Sequence, residues 1–311
     1  MNTRLVLTAA ALLAFCPALH AQTLPSVPAM PASPSAPSAA PVTLRYKFAV
    51  GQVHRYEYDM DMNMLMQTGQ TGAGIPMDMT MKMVMRQTVK SVRPADGAAT
   101  VETQIESLHM LRGGQEMPLP EDMQAKMKQP FTQVMLPTGK ILSMTMPGMT
   151  GMGAPGMDFS KNMFSTTALL PEGPVKVGDN WKGIIDASAM GAQSTFAATL
   201  TGIDQKNGAV LATIQQTQAG GIDKTLTEGV PAAMTMQGEL SGKAVQVFNT
   251  TAGAIQSATG TSAADMTMTF PQAAAGAAPP GMPSAMKMQM QMKYTMTRLS
   301  DTPPPATAPV Q

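Results

Sequence analysis

The sequence predicts an all-β protein of antiparallel sheets in meander order, built as two related repeats with a short helix or crossover between them. Three observations carry this: strict alternation of apolar and polar residues, turn signals between the alternating runs, and landmarks that recur in the same order in both halves. Tyr56, Tyr58, Met60, Met62, Met64 and Met66 occupy every second position, and Met77, Met79, Met81, Met83 and Met85 repeat the pattern. Period two places these side chains on one face of a strand, whereas a helix would scatter them around its circumference.

The Gly-rich gap at 69–76 separates the two runs and predicts a hairpin with a long loop. If both methionine faces lie on one side of the sheet, even positions must oppose odd ones, because a slip of one residue reverses a strand. A register summing to 143 opposes Met66 with Met77, Met62 with Met81 and Met60 with Met83. It also sets Asp61 against Lys82 and Glu57 against Arg86, opposite-charge pairs each worth roughly 0.2–1 kcal/mol.

Further strands are expected at 100–108, after the turn Pro94-Ala-Asp-Gly97, and at 131–146 with a bend at Pro137-Thr-Gly139. Residues 158–169 read as a short helix or irregular crossover. A second series starts at Trp181 and ends on Met286, Met288, Met290, Met292, Tyr294 and Met296. Val50-Gly51 matches Val177-Gly178, and Thr88-Val89 before Asp96-Gly97 matches Thr199-Leu200 before Asn207-Gly208. Gln133-Val134-Met135 with Gly139 matches Gln246-Val247-Phe248 with Gly253. The expected organisation is therefore a first repeat at 43–157, a crossover at 158–176 and a second repeat at 177–300.

The ends read differently. Arg4, the apolar run 5–15 and Ala21 form a signal-peptide pattern, with cleavage expected after Ala21. The run is too short to span a bilayer, which takes about 20 residues. Leu13-Ala-Phe-Cys16 approaches a lipoprotein signal, but Phe15 is too bulky before an acylated cysteine. Residues 22–42 are almost entirely Pro, Ala and Ser and should form a flexible tether, as should the tail 301–311. Such a leader implies a periplasmic or secreted protein.

Composition excludes several classes. Cys16 is the single cysteine, so the mature chain has no disulfide and no thiolate ligand. Removing Arg4 from 21 basic residues leaves 20 against 20 acidic ones, which argues against a nucleic-acid partner. No later segment suits a membrane helix, and aromatics at 4% are too few for the girdles of an outer-membrane barrel.

Tyr46-Lys-Phe48, Gly51 with Arg55-Tyr56, Leu136-Pro-Thr-Gly-Lys-Ile141 and Leu170-Pro-Glu-Gly-Pro-Val-Lys-Val-Gly-Asp-Asn-Trp181 resemble an uncharacterised family of exported bacterial proteins, known only as a domain of unknown function. The resemblance spans about residues 44–299. It implies an envelope location and a β-rich fold, and it supplies no activity or site residues.

No catalytic constellation is legible, and no enzyme is expected. His54 and His109 lack zinc spacing, no Gly-x-Ser-x-Gly elbow occurs, and the glycines at 69–74 lack the Lys-Ser/Thr of a phosphate loop. Asp59-x-Asp61-x-Asn63 opens like a calcium loop, but Met64 stands where glycine is needed and Gln70 where glutamate is.

The 33 methionines are the unusual feature. The plain reading makes them the apolar face of the sheet, each burial contributing roughly 1.5–3 kcal/mol. Val, Ile and Thr suit strands better, so packing alone does not explain the choice. A flexible, polarizable face could mould to a lipid or other apolar ligand, or to an envelope protein partner. Alternatively, thioethers are soft ligands suited to Cu(I), with no other cofactor expected. The candidate ligands are Met60, Met62, Met64, Met66, Met77, Met79, Met81 and Met83 on the strands, and Met146, Met149, Met152 and Met157 in a Gly-rich loop. Exposed methionines could also serve as a sink for oxidants.

Overall fold

The alternating runs form long strands of a single twelve-stranded antiparallel sheet. The computed structural model describes residues 40–68, 74–118, 120–145, 168–187, 192–226, 234–270 and 285–299. All belong to one unit, Ser38–Gln311. In chain order the elements are β1 Val53–Thr68, β2 Ile75–Val92, β3 Ala99–Arg112, β4 Gln115–Glu116, α1 Glu121–Met127, β5 Phe131–Met135 and β6 Ile141–Thr145. Then come β7 Asn180–Ala187, β8 Ala192–Lys206, β9 Ala209–Leu226, β10 Met234–Asn249, β11 Ala254–Thr269 and β12 Ala285–Arg298. Across the sheet the order is β6-β5-β3-β2-β1-β12-β11-β10-β9-β8-β7, with β4 as a flap on β3.

Two five-stranded meanders thus lie in the same sense, and β12 fills the gap between β1 and β11. Their landmarks coincide in detail. The Gly51 amide donates to the Val89 carbonyl at 2.8 Å, and the Gly178 amide donates to the Leu200 carbonyl at 2.8 Å. A bulge follows each acceptor, between Val89 and Ser91 and between Leu200 and Gly202. A second bulge recurs between Val134 and Met135 and between Val247 and Phe248, each beside a buried glutamine, Gln133 or Gln246.

The hairpin register differs from the sequence expectation by two residues. Paired numbers sum to 141, so Met60 faces Met81, Met62 faces Met79 and Met66 faces Ile75. The parity argument survives, because a shift of two keeps every side chain on its face. Charge favoured the expected register, and the expected Glu57–Arg86 pair is not formed: Glu57 faces Val84, and Arg86 faces Arg55. Lys82 meets Asp59 at 3.6 Å here, where the other register would offer Asp61, and Asp61 instead accepts a 2.9 Å hydrogen bond from the Thr80 hydroxyl. The adopted register adds Ile75 to the apolar face, extending it by one more pair.

Helix α1 was not anticipated. Pro120 precedes it, Glu121 and Asp122 fill its first turn and Lys126 its last, the charge order that the helix dipole favours. The expected helix or crossover at 158–169 falls mostly outside the described residues, and 168–169 are in neither helix nor strand.

At one end the sheet curls over a closed core. One cluster unites Tyr56, Tyr58, Met83, Met85 and Phe131 from the first meander with Leu200, Ile214, Phe248 and Ile255 from the second. A strap seals it: Val42 bridges to Val175, the Tyr46 amide donates to the Pro137 carbonyl at 2.8 Å, and the Lys47 amide donates to Gly253 at 3.1 Å. The strap therefore ties together the equivalent turns of the two meanders. The Arg45 guanidinium donates to the carbonyls of Pro171 and Glu172.

Candidate functional site: the methionine face

Away from the strap, the same face of the sheet changes from aromatic and branched residues to methionine. The pairing registers arrange these methionines in rows that run across the strands. One row reads Met79 (β2), Met62 (β1), Met292 (β12). The next reads Met77, Met64, Met290. Beyond it come Met66, Met288 and Met266 across β1, β12 and β11, then Met286, Met268 and Met236 across β12, β11 and β10. Adjacent strands lie about 4.8 Å apart, so row neighbours are in side-chain contact range.

Burial divides the set. Met60, Met81 and Met83 are 5, 8 and 3% exposed and belong to the packed interior. Met62, Met64, Met66, Met77, Met79, Met288, Met290 and Met292 are half-buried. Met234, Met236 and Met266 form a second buried cluster with Ile222, against which Met268, Met288 and Phe270 pack. Polar residues of β1, β2 and β12, including Asp61, Asn63, Asp78, Lys82, Gln291 and Lys293, alternate onto the opposite face. Of the sequence-derived metal candidates, the strand set converges on this face, whereas Met146, Met149, Met152 and Met157 lie outside the described residues.

Sequence reasoning did not include the β12 methionines among its candidate ligands. Their alternation was visible, but β12 pairs with a strand more than two hundred residues earlier, and periodicity carries no information about such pairing.

The row adjoining the half-buried methionines on the strap side is closed. Met60 lies between Met81 and Tyr294, and the Tyr294 ring covers Gly260, where a Cβ would stand 2.6 Å from the ring. Burial raises the Tyr294 pKa. Within the strapped core, burial likewise holds the Tyr46 hydroxyl well above its ordinary value, while that oxygen accepts the Ala168 amide at 3.0 Å. A void of about 40 Å³ lies there among the described residues, well below the volume of a small-molecule site.

Among the described residues no three His, Cys, Asp or Glu side chains converge as a metal site. His109 is exposed and sits 3.1 Å from Glu116, and His54 packs against the Tyr56 ring. A groove of about 510 Å³ also runs across the middle strands, bordered by Asn63, Ser241, Lys243, Thr261, Gln291 and Lys293.

No family model matches the chain, and no curated protein does. The resemblance drawn from the segment ending at Trp181 therefore rests on those residues alone. Among solved structures, lipovitellin, titled for its lipid–protein interactions, is 10% identical over 84% of this chain with a TM-score of 0.47. The chain spans only 27% of the lipovitellin chain. A DUF1329 family protein from Desulfovibrio piger is 10% identical, covering 80% of this chain and 87% of its own, with a TM-score of 0.15. A LolA superfamily protein from Nitrosomonas europaea is 9% identical, covering 81% and 88%, with a TM-score of 0.14. These likenesses carry no conclusion about function. Among the described residues, no helix is long and apolar enough to cross a membrane.

Proposed function

We propose that this chain is a non-enzymatic binding protein that holds an elongated apolar molecule, such as an acyl chain, on its methionine face. One observation carries the reading: five adjacent strands, β2, β1, β12, β11 and β10, present methionines in lateral register, and Met77, Met79, Met62, Met64, Met66, Met288, Met290 and Met292 of the first three are half-buried. The half-buried part on β2, β1 and β12 spans two strand spacings, about 10 Å, and Met62 to Met66 runs about 14 Å along β1. Methionine supports the role better than a branched residue, because its three rotatable bonds and polarizable sulfur fit varied shapes. The signal-peptide pattern supports a periplasmic or secreted setting for this work.

The test is fluorescence titration of the purified chain with an anilinonaphthalene probe, followed by displacement with a C16 fatty acid. Saturable probe binding displaced by the fatty acid is expected. Replacing Met62, Met64, Met290 and Met292 with Gln should abolish it, and replacing them with Leu should keep it. Equal binding in the Gln and wild-type proteins would overturn the assignment of the face.

A further inference from the structure

We infer that the two central rows, Met79–Met62–Met292 and Met77–Met64–Met290, form a thioether site for a soft monovalent cation, Cu(I) or its surrogate Ag(I). This goes beyond the apolar reading, because that reading needs only greasy side chains and this one needs sulfur.

In these two rows every aligned methionine is half-buried. Each row centres on a β1 methionine flanked by one methionine from β2 and one from β12, so three thioethers meet side by side. Cβ atoms of directly opposed residues lie about 4.5–5.5 Å apart, and three rotatable bonds let each sulfur swing toward a shared point. The two rows are two residues apart on each strand, about 7 Å, so six thioethers occupy one small patch. The two further three-methionine rows, Met66–Met288–Met266 and Met286–Met268–Met236, each include a buried member, Met266 at 8% and Met236 at 3% exposure. The row below replaces its β12 methionine with Tyr294, and the row above replaces its β2 methionine with Ile75.

Chemistry then selects the ion. On β1, β2 and β12 the charged residues beside these rows, Asp61, Asp78 and Lys293, point to the other face. Among the described residues, Arg112, exposed at the end of β3 opposite Met79, is the one charge that register sets beside them. The six methionine donors are neutral, and Ser262 of β11 stands opposite Met292 as a hydroxyl neighbour. Mg(II), Ca(II) and Zn(II) require oxygen, nitrogen or thiolate donors, while thioethers suit Cu(I). A single positive charge also costs less to remove from water than a double one, which a half-buried neutral site demands. Half-burial leaves the sulfurs reachable by an ion, while buried Met60 and Met81 close the adjoining row.

The test is an anaerobic titration of the full chain with Cu(I) against a chromophoric Cu(I) chelator, with X-ray absorption of the loaded protein. Withdrawal of Cu(I) at least 100-fold tighter than free methionine achieves, with sulfur-only coordination, is expected. Replacing all six methionines with Leu should abolish withdrawal while leaving anilinonaphthalene binding intact, so loss of the metal site and loss of the apolar face are read separately. The single replacement Met62→Leu, at the centre of one row, should weaken Cu(I) binding at least tenfold and guards against misfolding of the sextuple variant. No withdrawal by the wild-type chain, coordination by nitrogen or oxygen, or unchanged affinity in a folded variant would each overturn the proposal.

Discussion

Glu106 reaches back from a β-bulge to Arg55, its carboxylate 2.6 Å from the guanidinium. The bulge sets it there: Val84 pairs with Ser107 and Met85 with Ile105, so Glu106 is the extra residue. Arg55 and Arg86 face each other directly across β1 and β2, and the same carboxylate lies 3.8 Å from Arg86. One anion thus relieves a like-charge pair in which the Arg55 side chain is only 10% exposed. Glu106→Gln keeps the shape and removes the charge. It should cost about 2 kcal/mol, the range for a hydrogen bond to a charged group. Urea denaturation measures it, and a loss under 0.5 kcal/mol would show that the cluster is solvated.

Two glycines with similar backbones separate strain from packing. Gly51 has φ of 83° with open space where a Cβ would stand, and Gly139 has φ of 84° with the Ala168 carbonyl there. Gly51→Ala should cost about 1 kcal/mol from the left-handed conformation alone. Gly139→Ala adds the overlap and should cost about 3 kcal/mol or more, because backbone on both sides must shift. Similar melting temperatures for the two variants would contradict the close approach of the two segments that seal the core.

Tyr46 predicts an alkaline limit to stability. Burial raises its pKa in the folded protein, whereas the unfolded chain ionises near about 10. Above that value the unfolded state has released a proton that the folded state retains, so stability falls as pH rises. Tyr46→Phe should lose about 1 kcal/mol at neutral pH, through the missing Ala168 hydrogen bond. Its stability should then decline less between pH 10 and 12 than the wild type's. Parallel curves for the two proteins would remove Tyr46 as the cause.

Processing is checked independently of the fold. Expressed with its leader in a Gram-negative host, the mature protein should begin at Gln22 with no acyl group on Cys16. Mass spectrometry of the envelope fraction reads both, and lipid on Cys16 would make the chain membrane-anchored.

Much of the fold was legible because β1, β2 and β12 alternate long methionines with charged residues, a contrast only a two-sided strand produces. The facing of each strand followed, but the register did not, since charge on β1 and β2 favoured Glu57 opposite Arg86, whereas Glu106 from the β3 bulge lets Arg86 face Arg55. Across β8 and β11 the face toward the core carries Ala198, Ala258 and Ala264, whose small side chains give weak periodicity. Those strands were therefore anticipated only as a series. The site was half legible: its β1 and β2 members came from local alternation, while Met290 and Met292 depend on long-range pairing that no local pattern encodes.

Burial on the methionine face also orders chemical reactivity. Thioethers oxidise to sulfoxides where solvent and oxidant reach them. Met62, Met64, Met77, Met79, Met290 and Met292 are half-buried, whereas Met83, Met85 and Met296 are 3, 2 and 2% exposed within the strapped core. Mild peroxide followed by peptide mass spectrometry should therefore modify the first group at least several-fold faster. Each sulfoxide makes an apolar side chain polar, so anilinonaphthalene binding should fall in step with that first wave, before any loss of β-structure by circular dichroism. Treatment with methionine sulfoxide reductases should restore it. If Met83 and Met85 oxidise as fast as Met62 and Met64, the two groups share one environment, and the division into closed core and open face fails.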